Sequence, residues 1–164
     1  MADLEPSVTH AAGIAALAAA NLAAMGSALT VYLDRVPADN EANSAAAGGR
    51  GPAYPYAVVW SVPGGPLAAA ERLKGWGGEI ATTTQVTVAG LTEADVLGGA
   101  DRLTRALHRR KPQLAGRVPG DIEQDGAPGR PQLDPVLTPG GRQVFTTVLF
   151  FLLHSSPDGS DEGA

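Results

Sequence analysis

The side chains of this sequence that could do chemistry are few and widely spaced. There are three histidines and no cysteine, so disulfide frameworks, thiolate zinc sites and thiol nucleophiles are excluded from the outset. His10, His108 and His154 are far apart along the chain, with no second ligand at metal-binding spacing and no HExxH pattern. No Gly-x-Ser-x-Gly elbow places a serine in the strand-turn-helix setting a nucleophile needs. Asp121, Glu123 and Asp125-Gly126 resemble the opening of a calcium loop. The closing bidentate glutamate of that twelve-position pattern is replaced near its place by Pro131 and Gln132, so a turn with exposed acids is the expectation. Neither GxGxxG nor GxxxxGK[ST] occurs; the GGRG at 48–51 and GGR at 140–142 read as turns. His108, Arg109, Arg110 and Lys111 form one basic cluster, suited to a helix C-terminus or to contact with an acidic surface. The reading is of a chain with no catalytic, cofactor or metal site.

Elements that could carry a partner surface instead are easy to place. Ser7 to Met25 predicts a helix with Ser7 as N-cap, Gly26 as its stop, and Ile14, Leu17, Leu22 and Met25 on one face. From Ala28 to Val36 the period becomes two, with Leu29, Val31 and Leu33 alternating with polar residues, which predicts a strand ended by Pro37. Residues 37–55 form a long loop of small and turn-forming residues, followed by a strand over Tyr56–Val62 in which Trp60 is expected to be packed. Residues 67–79 predict at most one short helical turn, interrupted by Gly75, Gly77 and Gly78. Ile80–Ala89 predicts a third strand.

Thr92, with Asp95 three residues on, then predicts a capped helix carrying an apolar stripe of Val96, Ala100, Leu103 and Leu107, closed by the basic cluster and Pro112. Short strands are expected in RVPGDIEQDG and RPQLDPVL. Val144–His154 is apolar on both faces and predicts a central strand. The fold class that follows is α+β: a single, largely antiparallel sheet with two main helices packed on it. Residues 1–156 are expected to form one domain and 157–164 a flexible acidic tail.

Composition narrows function further. Lys and Arg total 12 against 17 Asp and Glu, a net charge of −5, which disfavours a charge-driven grip on nucleic acid or anionic lipid. The uncharged run from Ala11 to Leu33 is mostly alanine, holds Asn21 and breaks at Gly26-Ser27, so it is not expected to span a membrane. Asp3 and Glu5 stand where a signal peptide carries basic residues, so an intracellular chain is expected. Much of the content of 21 glycines and 13 prolines lies in residues 48–78 and 112–141, read as surfaces that order against neighbours. Trp76, set between glycines, suits a contact of that kind.

The order of these motifs resembles the tail terminator, or tail completion, proteins of long-tailed bacteriophages, particularly those of actinobacterial hosts. The resemblance spans roughly residues 5–156. It is carried by VYLDRVP, by PYAVVW at 55–60, by TTQVTVAGLTEADVLGGADRLTRAL at 83–107 and by FTTVLFFLLHSS near the end. Gln85-Val86-Thr87-Val88-Ala89-Gly90 running directly into the capped helix is its most specific part. The resemblance implies a ring-forming subunit, usually a hexamer, that stops growth of the tail tube and presents a surface to the head-side connector. The partners it implies are further copies of the chain, the major tail tube protein and the connector or stopper. DNA would cross the lumen without specific binding, and the protein would reside in the neck of the virion after assembly in the host cytoplasm. Candidate assembly contacts are Arg50, Arg72, Lys74, Trp76, Arg109, Arg110 and Lys111. Two alternatives remain open: a head-tail stopper or connector component, and a small α+β enzyme with a site near His154 or the 121–125 acids.

Overall fold

A computed structural model describes residues 6–36, 54–60, 65–66, 79–135 and 143–158. In chain order the elements are α1 (Pro6–Ala24), β1 (Thr30–Leu33), β2 (Tyr56–Trp60), β3 (Gly65–Pro66), β4 (Ile80–Gly90), α2 (Glu93–Leu107), β5 (Arg117–Pro119), β6 (Glu123–Gln124), β7 (Gln132–Leu133) and β8 (Phe145–Pro157). The strands form one sheet with the path β1-β2-β4-β8-β5; β3 joins β4, while β6 and β7 join β8. The expected α+β class holds, with β8 central as its sequence predicts.

Two local signals act as read. Thr92 Oγ1 accepts from the Asp95 backbone N–H at 3.1 Å, and Asp95 Oδ2 accepts from the Thr92 N–H at 3.2 Å, completing the capping box of α2. Such a cap is worth about 1 kcal/mol. Gly26, at φ 65°, ends α1: its N–H donates to the Ala23 carbonyl and the Ser27 N–H to the Leu22 carbonyl. This is the Schellman pattern, and it needs a left-handed residue at the Gly26 position.

Other boundaries move for identifiable reasons. The α1 helix begins at Pro6, whose fixed φ and missing N–H suit a first helical position. Ser7 is therefore inside the helix and is not its N-cap. Met25 falls beyond the last helical residue and is exposed, so it leaves the buried stripe that Ile14 and Leu22 occupy. The first strand is four residues, shorter than expected, because Asp34 turns into the left-handed region at φ 61°.

The sheet is mixed. β1 runs parallel to β2, with Thr30 opposite Tyr56 and Leu33 opposite Val59, while every other pair in the sheet is antiparallel. A parallel pair requires the chain to return to the same end of the sheet, which a short hairpin cannot do. The length of the 34–55 connection follows from that requirement. Most of that loop, the residues 61–62 of the second predicted strand, and the predicted turn at 67–79 up to residue 78 lie outside the described residues.

Segment 112–135 also departs from the expectation of a surface that awaits neighbours. Its three short strands line the free edge of β8. Between them, the N–H groups of Gly120, Asp125, Gly129 and Asp134 donate to the carbonyls of His154, Phe150, Val148 and Val144. Pro119, Gly126 and Pro128 prevent one continuous strand, so the edge is satisfied piecewise.

Both helices pack on the same face of the sheet. Val86 and Val88 of β4, with Leu149, Phe151 and Leu153 of β8, meet Ile14 and Leu22 of α1 and Leu103 and Leu107 of α2. Within α2, Gly98 and Gly99 answer to different constraints. A Cβ on Gly99 would stand 2.8 Å from Val88 Cγ1, whereas one on Gly98 would meet only the mobile end of Arg102, at 3.6 Å. Ala is favoured over Gly inside a helix by about 1 kcal/mol. Gly98→Ala should therefore raise stability by roughly 0.5–1 kcal/mol. Gly99→Ala should lower it by about 1–3 kcal/mol, since the close approach of α2 to β4 leaves no room. Urea unfolding of the two neighbouring variants checks the opposite signs.

Candidate functional site

The register divides the two faces of the sheet residue by residue. Thr82, Thr84, Val86 and Val88 of β4 point toward the helices with Thr147, Leu149, Phe151, Leu153 and Ser155 of β8, all buried. Thr83, Gln85 and Thr87 share the opposite face with Leu152, Phe150 and Val148, their cross-strand partners. No helix covers that second face among the described residues. One end of it is closed by a small cluster of its own, in which Tyr56, Val58, Ala89 and Val144 are buried beneath Tyr32, Val36, Tyr54 and Leu91. Tyr56 meets Tyr32 edge-on at 6.0 Å and Tyr54 at 5.2 Å. Burial holds the Tyr56 hydroxyl well above its ordinary pKa, with Tyr54 and Asp134 adding to the effect.

The other end of this face has no such cover among the described residues. Trp60, Gln85 and Phe150 stand in a single cross-strand row. Trp60 is 39% and Phe150 41% exposed, so the expected packing of Trp60 does not occur: β2 sends it to the side away from the helices. Its indole Nε1 donates to Thr87 Oγ1 at 3.0 Å, which holds the ring against β4. The alternation in VFTTVLFFLLH carries the signal of an apolar second face but does not say whether that face is covered.

Of the candidate assembly contacts, Arg50, Arg72, Lys74 and Trp76 lie outside the described residues. Arg109, Arg110 and Lys111 are exposed, in the turn that follows α2. His108 is the C-cap, its N–H donating to the Thr104 carbonyl at 2.8 Å. Arg109 then takes φ 57°, and its N–H donates to the Ile122 carbonyl while the Ile122 N–H donates to the Arg110 carbonyl. These bonds set exposed Asp121 and Glu123, on either side of buried Ile122, beside the basic turn. The cluster that reads as purely basic in sequence is thus part of a surface of both signs. No group of three or more metal-ligating side chains occurs among the described residues.

His10 acquires a place that its position in the sequence does not announce. It is fully buried beneath α1, with Nδ1 2.5 Å from Thr82 Oγ1 and Nε2 2.7 Å from Ser155 Oγ. Arg117 Nε donates to the same Ser155 Oγ at 2.7 Å, and Arg117 Nη2 donates to the Ser155 carbonyl at 3.0 Å. A neutral imidazole offers one donor and one acceptor, and two hydroxyls complement either tautomer. Burial above all, then the charges of Arg117 and His154, lower the His10 pKa from 6.5 to about 4. The serine–histidine distance matches that of a nucleophile and its base. Ser155 and His10 are both buried, however, and Arg117 occupies the same serine oxygen, so the network is a tie between α1, β4, β5 and β8. His154, by contrast, is on the open face and half-buried.

No protein-family model matches this chain, and no curated protein matches it. Among solved structures it is similar to a chain of one described as the virion of a native gene transfer agent (GTA) particle. The identity is 16% and the TM-score 0.49, over 84% of this chain and 85% of that one. Nothing about function is drawn from a likeness of that degree.

The His10 tie makes stability depend on pH with a definite sign. Because the folded state holds the pKa at about 4 against 6.5, the unfolded chain binds the proton more readily. The contribution is complete above pH 6.5 and is lost progressively as pH falls toward 4. At about 1.4 kcal/mol per unit, the loss amounts to about 3 kcal/mol. His10→Gln, which cannot titrate, should remove that part of the acid sensitivity. The check is the wild-type minus variant difference in unfolding free energy at pH 7, 5.5 and 4. A difference that does not change with pH would overturn the assignment.

Proposed function

We propose that this chain is a structural virion protein of a long-tailed phage: a tail terminator that forms a ring on the head-proximal end of the tail tube, ends its growth and offers the joining surface to the head connector. The observation that carries this reading is the pairing of the family-like motif order with a sheet on one face of which, among the described residues, Trp60 and Phe150 stand exposed with no helix over them. The TTQVTVAGLTEADVLGGADRLTRAL segment, which holds the most specific part of the resemblance at Gln85–Gly90, folds into the long strand β4 and the capped helix α2 of the subunit. Exposed aromatic side chains such as Trp60 and Phe150 on a sheet face suit a subunit that meets neighbours, whereas an enzyme requires a concave site with converging polar groups.

The electrostatics agree with a conduit for DNA. A net charge of −5 repels phosphate, and a surface of mixed sign around Arg109 and Asp121 does not supply the dense cation array that releases counterions. On this reading the bore carries acids, and a ring whose bore is lined by Arg109, Arg110 and Lys111 alone would contradict it.

The decisive test is to polymerise purified tail tube protein in the presence of this chain and measure tube lengths by negative-stain microscopy. A terminator caps one tube end and shortens the length distribution as its concentration rises. Binding to the connector with no effect on tube growth would instead identify a stopper and overturn the terminator assignment.

A further inference from the structure

Segment 112–135 meets β8 at separated points, and between two of them the chain bows outward. The Asp125 N–H donates to the Phe150 carbonyl at 2.8 Å and the Gly129 N–H to the Val148 carbonyl at 3.4 Å. The chain from Asp125 to Gly129 thus reaches between β8 residues only two positions apart. Its surplus lies on the surface, where Asp125, Gly126, Ala127 and Gly129 are exposed. Gly126 takes φ 81°, the left-handed region that a residue with a Cβ resists. Within this bow two groups able to react with each other are neighbours, and neither is engaged. Among the described residues the Asp125 carboxylate has no hydrogen-bond or ion-pair partner, and the Gly126 N–H has no acceptor. Only the Gly126 carbonyl is held, by Gln124 Nε2 at 3.0 Å.

An aspartate carries its Cγ within reach of the next backbone nitrogen. Closing a five-membered imide between them needs that nitrogen free and its approach unobstructed. Most other described aspartates fail this requirement. The Arg35 N–H after Asp34 donates to the Leu33 carbonyl, the Val96 N–H after Asp95 to the Thr92 carbonyl, and the Ile122 N–H after Asp121 to the Arg110 carbonyl. Asp101 lies inside α2, where the helix ladder engages the Arg102 N–H. Asp134 precedes Pro135, which has no N–H. The residue after Asp158 lies outside the described residues. Asp125 is followed by an unengaged nitrogen on a residue with no Cβ to obstruct the approach.

We propose that Asp125–Gly126 is a site of spontaneous main-chain modification, at which the aspartate of the folded protein converts to isoaspartate. The Gly126 nitrogen attacks Cγ of Asp125 in its carboxylic acid form. A C–N bond forms, a C–O bond of the carboxyl breaks, and the amide proton leaves with the departing hydroxyl as water. Water then opens the imide at the carbonyl carbon that belonged to the main chain. The chain now runs through the former side-chain carboxyl, and the α-carboxylate stands free beside it. One water leaves and one returns, so the mass is unchanged and no oxidant or cofactor takes part. The product lengthens the main chain by one carbon, which the bow absorbs without disturbing the bonds of Asp125 and Gly129 to β8. The bond from Gln124 to the Gly126 carbonyl lies inside the altered stretch. Gln124 Oε1 also accepts from Thr104 Oγ1 at 3.0 Å, so the change reaches the last turns of α2 through that side chain.

The test is to age the purified protein for several weeks at neutral pH and physiological temperature. Isoaspartate is counted by methyl transfer from labelled S-adenosylmethionine with an isoaspartyl methyltransferase, and placed in the sequence by electron-transfer fragmentation of the peptides. Isoaspartate at Asp125 should exceed that at Asp34, Asp95, Asp101 or Asp121 by about tenfold or more. Its rate of formation in the native protein should lie within about tenfold of the rate in urea, because the bow is already free to react without unfolding. Asp125→Asn keeps the turn and replaces water by ammonia as the leaving group. That variant should lose its new amide well before Asn21, which lies inside α1, loses its own. Asp125→Glu, which would have to close a six-membered ring, should take up no methyl group at this position while its melting temperature stays that of the wild type. Three results would overturn the proposal: a native rate at Asp125 more than about tenfold below the rate in urea, isoaspartate spread evenly over the aspartates, or an Asp125→Asn amide that lasts as long as that of Asn21.

Discussion

The pairing of β4 with β8 is the constraint on which the rest of the molecule depends. Every residue from Ile80 to Gly90 has a partner between Ser155 and Phe145, and these two long strands carry most of the buried apolar side chains of the sheet. The short strands of segment 112–135 complete the far edge of β8, and β2 completes the far edge of β4. Because side chains alternate strictly along a strand, the register of this one pair decides which residues meet the helices and which do not. A shift by one residue would turn Phe151 outward and Phe150 inward, and would separate Thr82 and Ser155 from His10.

Burial on a single face has a second consequence. Two helices suffice to cover one side of the sheet, and the three tyrosines with Val36, Leu91 and Val144 close part of the other. Over the remaining part, no helix of the described residues covers Trp60 and Phe150, which stand exposed. His10 inside the covered layer is meanwhile satisfied. It is matched by two hydroxyls, and Arg117 approaches only as far as the serine between them. The tie fastens α1 to the strands at the price of acid sensitivity.

How much could be read beforehand varies with the range of the interaction. Thr92 and Asp95 are three residues apart, and Gly26 needs only its own conformation, so both helix boundaries were legible. The stripe of Val96, Ala100, Leu103 and Leu107 was legible for the same reason, since a helix brings those residues together by itself. The strands β4 and β8 were equally clear from β-branched content and length. Trp60 was misjudged because alternation assigns a residue to a face and does not say what lies on it. The basic cluster was read without its acids because Asp121 and Glu123 reach it only through the main-chain bonds of Ile122 with Arg109 and Arg110.

The sequence by itself determined the α+β class, the order of the main helices and longer strands, the α2 cap, the α1 stop and the absence of cysteine chemistry, all of which depend on residue type and near-neighbour spacing. Tertiary structure alone decided the parallel placement of β1, the burial of His10 between Thr82 and Ser155, the mixed sign of the 109–111 surface and the exposure of the Trp60–Phe150 row. Each of these joins residues distant in the chain. The physical reason is that hydrogen-bond partners and solvent exposure are properties of where the chain returns, and local preference is silent about that.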